Sequence, residues 1–524
     1  MGEQISLLEL EQRPPNESSA LPPIPIEQLK LRRPNRLQDT YCTIVVENLV
    51  HSQHRVRAIW ELTGRLDLGP FAAQLRTQKN LGGRAAWEPR LLVAVWIWAY
   101  SEGISSAREI SRLCEYRPEL QWLCGMETIN HHTLSDFRVS QSEALEQIFT
   151  NVLAVMSEAE LIDLKQVAVD GTRVRSQGAT SSRRRRGTLE KHLEQARAVV
   201  EELAAQPDDE ASSKRQQAAR ERAARERMET LGEALDQLQE VEAGKKEEEK
   251  AAARVSATEP EARLQRESNG GWAAGYNAQF ATDAKEKIVV GVELTNNASD
   301  AQQLEPTLED MEERLNQKAK QVLADDGYSS RANIEAMEAD EIEYVTPAPE
   351  PGKRSTAAAR AAGIQAEFET RLFIYDEKTD TFRCPANKEL KYRGVSKRRG
   401  RTYRQYQQRS GACKECEYRL KCCPTSYERG RTAVRTEEDG LMARHREWME
   451  TERAKAAYRR RAEVAEFPNA WLKERFGVRK FRVRGLRKAR SELMWAMLAY
   501  NVRVWIRLAW KPEGECELAQ AGAA

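Results

Sequence analysis

Runs of strand-like and helix-like residues alternate between residues 166 and 345, and this alternation constrains the fold more than any other feature. Val167 and Val169 alternate with their neighbours before a glycine turn, which predicts a strand over residues 166–174. Further strands are predicted over residues 276–283, 287–294, 321–324 and 342–345, and one helix over residues 304–315. Strands interleaved with a helix indicate an α/β protein with a mixed sheet.

Before this region, the apolar residues recur at helical spacing, which predicts a helical domain over residues 56–160. A proline-rich flexible leader over residues 1–55 is expected to precede it. Ser105 and Ser106 can cap a helix that runs through Cys114, and Asn130 or Thr133 can cap a second helix that begins near Leu134. This arrangement resembles a helix–turn–helix DNA reader, although a plain helical bundle fits the pattern equally well.

Two insertions divide the sheet region, which is predicted to comprise residues 161–186 and 256–350. Leucine-rich stripes on both sides of Pro207 predict a helical hairpin or coiled-coil arm over residues 187–255. Residues 351–450 form a cysteine-rich insertion. The chain is then expected to close with helices over residues 451–510, which complete the core, and a tail over residues 511–524.

The overall charge of the chain is nearly balanced, because 83 Lys and Arg residues face 81 Asp and Glu residues. Any affinity for nucleic acid must therefore come from local patches. The apolar run over residues 91–100 is too short to span a bilayer, and the N-terminus lacks the pattern of a secretory signal. We therefore expect no membrane partner, and we expect the nine cysteines to be reduced.

Five of these cysteines cluster between Cys384 and Cys423. Cys384 and the Cys413-x-x-Cys416 pair, with Cys422 or Cys423, supply four thiolates, which suits a tetrahedral structural zinc ion. We take Cys422 as the fourth ligand and keep Cys423 as the alternative. Reduced thiols without a metal are the competing interpretation.

Two local stretches of the sequence are strongly basic, over residues 391–404 and 473–490. Neutralisation of phosphates supplies most of the sequence-independent affinity for DNA. The candidate DNA contacts in these stretches are Lys397, Arg398, Arg399, Arg401, Arg479, Lys480, Arg482 and Arg484. Solvated surface charge explains either stretch alone, but the second one directly follows an acidic candidate residue, Glu466.

Three acidic residues give these patches a chemical context. Asp170 lies on a predicted strand, Asp325 at the end of another, and Glu466 on a predicted helix. A few carboxylates can hold two divalent ions, which activate an oxygen nucleophile and stabilise the leaving oxygen when a phosphodiester is cleaved. Taken singly, each residue has a commoner structural role, as a turn, a helix cap or a solvated helix face. Lys473 follows Glu466 by seven residues, about two turns, on the same helical face.

The sequence motifs around these acids resemble those of the DDE transposases of bacterial insertion sequences, and the resemblance covers residues 60–508. The matching words are LTGRLDLGPF at 62–71, EGISSAREISRLCE at 102–115, VAVDGTRVRSQGA at 167–179, GYNAQFATD at 275–283, NNASDAQQLEP at 296–306, ADDGYSS at 324–330, and the segment at 465–508 that begins AEFPNAWLK. Several separate words in one chain make this resemblance specific.

The resemblance implies a helical DNA-binding domain followed by a ribonuclease-H-like catalytic domain. It implies that Asp170, Asp325 and Glu466 are the catalytic acids and hold two Mg²⁺ or Mn²⁺ ions. Lys473, Arg461 and Tyr458 match supporting positions in the family signature. The implied partners are double-stranded terminal-repeat and target DNA and further copies of the chain, in the bacterial cytoplasm and at the nucleoid.

Neighbouring acids compete for these roles. Glu463 lies one turn before Glu466, and Asp326 adjoins Asp325; we rank both as neighbours rather than catalysts. Asn297 and Asp300 match a family word, but we expect them to cap a helix before Ala301.

Two other functions compete with an active transposase. One is a catalytically inactive DNA-binding protein derived from a transposase, which the presence of all three acids disfavours. The other is a structural coiled-coil protein, which would rest on residues 187–255 alone and does not explain the strands on either side.

Overall fold

The computed structural model describes residues 43–73, 75, 85–205, 214–267, 270–348, 359, 361–398, 401–408, 413–424, 430–435 and 439–512. The contacts separate a unit Met1–Val45 from a unit Val46–Ala524, and the second unit carries all the features below. Most of the predicted leader and of the predicted tail lies outside the described residues. Within the described ranges, no helix is long and apolar enough to cross a membrane.

The helices and strands of the second unit are numbered in chain order. The helices are α1 Arg55–Arg65, α2 Gly69–Ala72, α3 Pro89–Ser101, α4 Ala107–Leu113, α5 Pro118–Cys124, α6 His131–Ser140, α7 Ser142–Glu158, α8 Arg186–Ala205, α9 Lys214–Ala243, α10 Glu247–Lys250, α11 Leu304–Leu315, α12 Arg331–Ala339, α13 Arg419–Cys422, α14 Asp439–Glu450, α15 Glu452–Ala470 and α16 Leu486–Leu508. The strands are β1 Val167–Arg175, β2 Arg183–Arg184, β3 Val255–Ser256, β4 Arg263–Arg266, β5 Trp272–Asp283, β6 Val289–Thr295, β7 Gln321–Leu323, β8 Glu343–Val345, β9 Ile374–Asp376, β10 Thr381–Arg383, β11 Glu389–Arg398, β12 Arg401–Gln407 and β13 Thr432–Arg435.

The N-terminal region is helical, as the sequence predicts. The Ser106 side chain accepts a hydrogen bond from the Glu109 amide to cap α4, and Asn130 caps α6 in the same way. Helix α5 lies between them, so the simple helix–turn–helix arrangement is wrong and three short helices take its place. The leader boundary at residue 55 is also too late, because Val50 is 7% exposed and belongs to the main core.

Six of the described strands form a mixed sheet in the order β4-β5-β1-β7-β8, with β6 also paired to β5. β5 runs antiparallel to β1 and β6 antiparallel to β5. β7 runs parallel to β1 and β8 parallel to β7. The fold is therefore a mixed α/β structure, and its longest strand, β5, has an almost fully buried run of residues.

The C-terminal helix α16 joins the helical region to this sheet. It packs against α3 and α7 on one side and against β6 on the other. The Asn501 side chain both accepts from the Val289 amide, at 3.0 Å, and donates to the Val289 carbonyl, at 2.7 Å. At the start of α16, the carboxylate of Glu261 accepts a 2.6 Å hydrogen bond from the Leu486 amide. Negative charge at a helix N-terminus is stabilising, so both halves of the helix are tied to the sheet region.

The segment between β1 and β4 contains a pair of long helices, α8 and α9, that pack against each other. Their shared apolar cluster includes Leu189, Ala196, Leu231 and Leu238, and it is separate from the main core. The two ends of the segment meet where β2 pairs with β3. Residues 186–255 therefore enter and leave the sheet region at one place.

The cysteine-rich region contains a second, antiparallel sheet in the order β13-β12-β11-β10-β9. The sequence analysis assigned no strands here. These strands are short or rich in Arg, Lys and Gln, and their small core rests on Phe373, Leu390 and Tyr406. Few apolar residues alternate along them, so their period of two is hard to detect.

We predict that replacing residues 189–250 by a short flexible linker leaves the sheet region folded. The hairpin buries its apolar residues within itself, so its removal exposes little of the main core. Thermal unfolding should remain cooperative, with a midpoint within a few degrees of the full-length protein, on the order of the shift caused by about 1 kcal/mol. Insoluble protein, or loss of cooperative unfolding, would contradict this independence.

Candidate active site

Asp170 lies on β1, and Asp325 lies two residues beyond the end of the neighbouring parallel strand β7. Val167 pairs with Val322 and Ala168 with Leu323. Both acids follow this last pair by two residues, and neighbouring strands are about 4.8 Å apart, so the two continuing chains bring the acids near each other. β7 has ended by then, so Asp325 turns into a short 3-10 helix and accepts a 2.8 Å hydrogen bond from the Gly327 amide.

Helix α15 covers the face of the sheet to which both aspartates belong. Ala168 and Leu323 pack in one cluster with Val464 of this helix. Because side chains alternate along a strand, Asp170 and Asp325, each two residues further on, share that face. The helix contacts β1 at this point, and the Asn469 amide donates a 2.8 Å hydrogen bond to the Asp170 carboxylate.

Glu466 lies on α15 one turn before Asn469 and is exposed. Its carboxylate makes no hydrogen bond or ion pair with the part of the chain that the structure describes. The competing Glu463 is held by Lys287, with 3.0 Å between the Lys287 Nζ and the Glu463 Oε1. Asp326 is exposed beside the half-buried Asp325.

The electrostatics around Asp170 are unfavourable to its charged form. Burial raises the pKa of Asp170 to about 6, repulsion from Asp325 and Asp300 adds to this, and the Arg461 guanidinium opposes it. Arg461 also lies over the Tyr458 ring, with 5.7 Å from its guanidinium carbon to the ring centroid. Arg461 and Tyr458, two of the three supporting residues predicted from the sequence, therefore lie on the helix that covers the site.

Lys473 follows in a short π-helical segment, Trp471–Arg475, rather than in regular α-helix. Pro468 lies inside the preceding turns, so the simple two-turn geometry drawn from the sequence does not hold. Burial lowers the pKa of the Lys473 ammonium, as do Arg479 and Arg173, while Asp170 raises it. Lys473 therefore shares the electrostatic environment of Asp170.

The structure brings a further acid, Asp300, to the same place. Its carboxylate accepts hydrogen bonds from the side-chain amides of Asn277, at 2.6 Å, and Gln279, at 2.9 Å. The expected helix cap is wrong, because no side-chain cap is formed at this turn and Ser299 occupies the N-cap position. The signal in the sequence was Asn277 and Gln279 themselves, two buried polar residues on one face of β5 that pair with Arg173 and Gly171 of β1.

A cleft of about 710 Å³ opens along β1 beside Asp170. β7 ends early, and among the described residues the chain rejoins that edge of β1 at Arg175, whose amide donates to the Arg479 carbonyl and whose carbonyl accepts from the Phe481 amide. Its charged lining residues are Arg173, Arg175, Arg266, Glu267, Lys473, Arg479 and Lys480. We name this feature the basic cleft.

Of the predicted DNA contacts, Arg479 and Lys480 line the basic cleft, whereas Arg482 and Arg484 are exposed outside it. Lys397 and Arg398 lie on β11 and Arg401 on β12, where β11 and β12 form a hairpin. The side chains of these three residues, and the whole of Arg399, lie outside the described residues.

The five clustered cysteines line one cavity of about 30 Å³. Within it, Cys422 packs against the small apolar cluster of Ile364 and Phe368, whereas Cys423 is buried. Burial raises the pKa of the Cys413 thiol, and the neighbouring Cys423, Cys384 and Cys416 add to this. The pKa of the Cys422 thiol is raised by its hydrogen bond with Cys423 and by burial, and Cys384 adds to this. Cys422 and Cys423 therefore both lie close to the other cysteines.

In the described ranges, no group of three or more His, Cys, Asp or Glu side chains is arranged to hold a metal. The donor chemistry at Asp170 nevertheless fits a hard cation, because the carboxylates of Asp325 and Asp300 are close enough to add to the rise of its pKa that burial causes. In addition, the Asn469 Oδ1 beside Asp170 is buried without a hydrogen-bond partner among the described residues.

Comparison with known families gives two matches. The family described as "Transposase domain (DUF772)" matches residues 45–140, which are the N-terminal helices through α6. The family described as "Transposase DDE domain" matches residues 247–502, which include Asp300, Asp325 and Glu466 but begin after Asp170. No curated protein is similar enough to the chain to count as a match.

The two matches lie in the order that the sequence words predict and together span most of the chain, with two of the three candidate acids inside the second. The chain therefore belongs to the DDE-type transposases of insertion sequences and is an enzyme of DNA transposition.

Proposed function

We propose that this transposase cleaves insertion-sequence ends and joins them to target DNA with Asp170, Asp325 and Glu466 as its catalytic carboxylates. The observation that carries the proposal is the β1–β7 register, which puts two of these acids side by side beneath the helix of the third. Their separation in sequence is large, so a shared edge is not expected by chance.

The strand order supports a ribonuclease-H-like core. The order β6-β5-β1-β7-β8 has three antiparallel strands followed by two strands parallel to the first. In such a sheet the carboxyl end of the short parallel strand opens beside the central strand. The two aspartates occupy that opening.

Two Mg²⁺ or Mn²⁺ ions, when bound, would activate the attacking oxygen and stabilise the leaving oxygen. Asp170, Asp325 and Glu466 would hold them. Asn469 orients the Asp170 carboxylate, and the exposed Glu466 is available on the same helix. Lys473 lies close enough to Asp170 for this carboxylate to affect its pKa. It would contact a phosphate of the reacting strand.

The basic cleft supports a path for double-stranded DNA that leads to Asp170. We further propose that the N-terminal helices contribute to recognition of the terminal repeat. Because transposition joins two ends to one target, a homo-oligomer on DNA is the expected active form.

We predict that Asp170→Asn, Asp325→Asn and Glu466→Gln each reduce cleavage of terminal-repeat DNA by at least about 10³-fold, because each removes a metal ligand while keeping the side chain's size. DNA affinity, measured by gel shift in Ca²⁺, should change less than about threefold. Asp326→Asn serves as the matched control and should cleave normally. Binding without cleavage by the unmodified protein would instead favour the inactive derivative.

The basic cleft generates a second prediction. Lys480→Ala should weaken DNA binding several-fold and reduce the slope of log affinity against log salt by about one, because one phosphate contact is lost. The control is Lys455→Ala, a half-buried lysine on α15 paired with Glu450 at 3.0 Å. Equal salt slopes for the two variants would remove the cleft from the DNA path.

We also propose that Cys384, Cys413, Cys416 and Cys423 bind a structural zinc ion, with Cys423 in place of the Cys422 favoured from the sequence. The shared cavity, the burial of Cys423 and the contact of Cys422 with the apolar cluster of Ile364 and Phe368 support this set. Four thiolates are the usual donor set of a structural zinc site.

Adjacent cysteines provide a matched test of the zinc proposal. Cys423→Ser should lose most of the zinc found by metal analysis of the purified protein, from about one ion per chain. Cys422→Ser should retain it. Zinc-free unmodified protein would refute the site, and retention by Cys423→Ser with loss by Cys422→Ser would restore the original ligand.

A further inference from the structure

Asp300 fills the space between the two chain segments that carry Asp170 and Asp325. A side-chain carbon added at Gly171, next to Asp170, would lie 3.0 Å from the Asp300 Oδ1. One added at Gly327, whose amide donates a hydrogen bond to the Asp325 side chain, would lie 3.4 Å from the Asp300 Oδ2. Gly171 and Gly327 therefore leave room for the Asp300 carboxylate, which packs against both segments.

The Asp300 carboxylate is held firmly in this space. Asn277 and Gln279 anchor its Oδ1 from β5, and the Gln279 side chain in turn accepts a hydrogen bond from the buried Tyr328 hydroxyl. Tyr328 belongs to the turn that follows Asp325. A continuous chain of hydrogen bonds thus connects β5, Asp300 and the Asp325 segment.

Positive charge near Asp300 is limited. The Arg173 Nη2 lies 3.8 Å from the Asp300 Oδ2 and donates its hydrogen bond to the Ala298 carbonyl instead. The Asn277 Oδ1 is buried without a hydrogen-bond partner in the described part of the chain, and Asn277 is 1% exposed. One buried acceptor oxygen beside Asp300 therefore has room for a donor or a cation that the described residues do not supply.

We propose that Asp300 is a positioning residue of the active site, which fixes the spacing of Asp170 and Asp325 and adds a negative charge that strengthens binding of the divalent cation. The inference rests on the proposed function, because it assigns Asp300 to the same metal site. It goes beyond that function by adding a fourth acid that the three-carboxylate scheme does not contain.

The test measures cation binding without DNA, from the rise in thermal-unfolding midpoint as MnCl₂ is added. Asp300→Asn keeps the size of the side chain and removes its charge, so the half-saturating Mn²⁺ concentration should rise about tenfold. In cleavage assays, the Mn²⁺ concentration that supports half of the maximal rate should rise similarly. A residue that only supports the fold would instead lower the metal-free unfolding midpoint and leave the half-saturating Mn²⁺ concentration unchanged.

Two comparisons complete the experiment. Asp326→Asn, one residue from Asp325, should bind Mn²⁺ as the unmodified protein does, and Asn277→Ala should weaken binding by loosening Asp300 without removing a charge. Unchanged Mn²⁺ affinity in both Asp300→Asn and Asn277→Ala overturns the inference. Asp170→Asn separates the two proposals, because if it too leaves Mn²⁺ binding unchanged, the metal site itself is wrong.

Discussion

Helix α16 is buried between the N-terminal helices and the sheet, and this packing holds the two regions together. From Leu493 to Val502 this helix is buried on every side, which is the property of a helix inside a core rather than on a surface. The N-terminal helices and the sheet belong to the same hydrophobic cluster because this helix lies between them. The helical region is therefore fixed relative to the strands that carry the aspartates.

Polar anchors keep α16 in one position within that apolar environment. Glu492 is fully buried, accepts a 2.8 Å hydrogen bond from the Arg482 amide and lies 3.8 Å from the Arg138 guanidinium. Arg490 bridges Glu146 of α7 and Glu293 of β6. Breaking a buried pair leaves an uncompensated charge, so these contacts disfavour other packings of the helix.

The carboxylates of the candidate active site have different partners from the other buried acids. Elsewhere in the core, acids such as Glu146 and Asp310 have arginine partners at hydrogen-bonding distance. At the site, Asp170 has an asparagine amide and two neighbouring carboxylates, and burial raises its pKa to about 6. The fold thus holds like charges together at one edge of the sheet, and perturbed groups of this kind concentrate at functional sites.

The sequence by itself determined the elements and the candidate chemistry. Alternating Val167 and Val169 predicted β1, the stripe from Leu304 to Leu315 predicted α11 with the observed bounds, and the flanking words singled out Asp170, Asp325 and Glu466. These features are local, since periodicity and caps depend on residues a few positions apart. The strands of the cysteine-rich region were not predicted, because their short, polar runs carry little periodic signal.

Tertiary structure alone decided which residues share a site. Asp300 looked like a helix cap, because its role depends on Asn277 and Gln279 of another strand and on the space left by Gly171 and Gly327. In the same way, only packing gives Cys422 its contact with Ile364 and Phe368, and only the structure shows that Lys473 lies in a π-helical segment. Contacts between residues distant in sequence depend on strand register and helix packing, and no local pattern of residues specifies them.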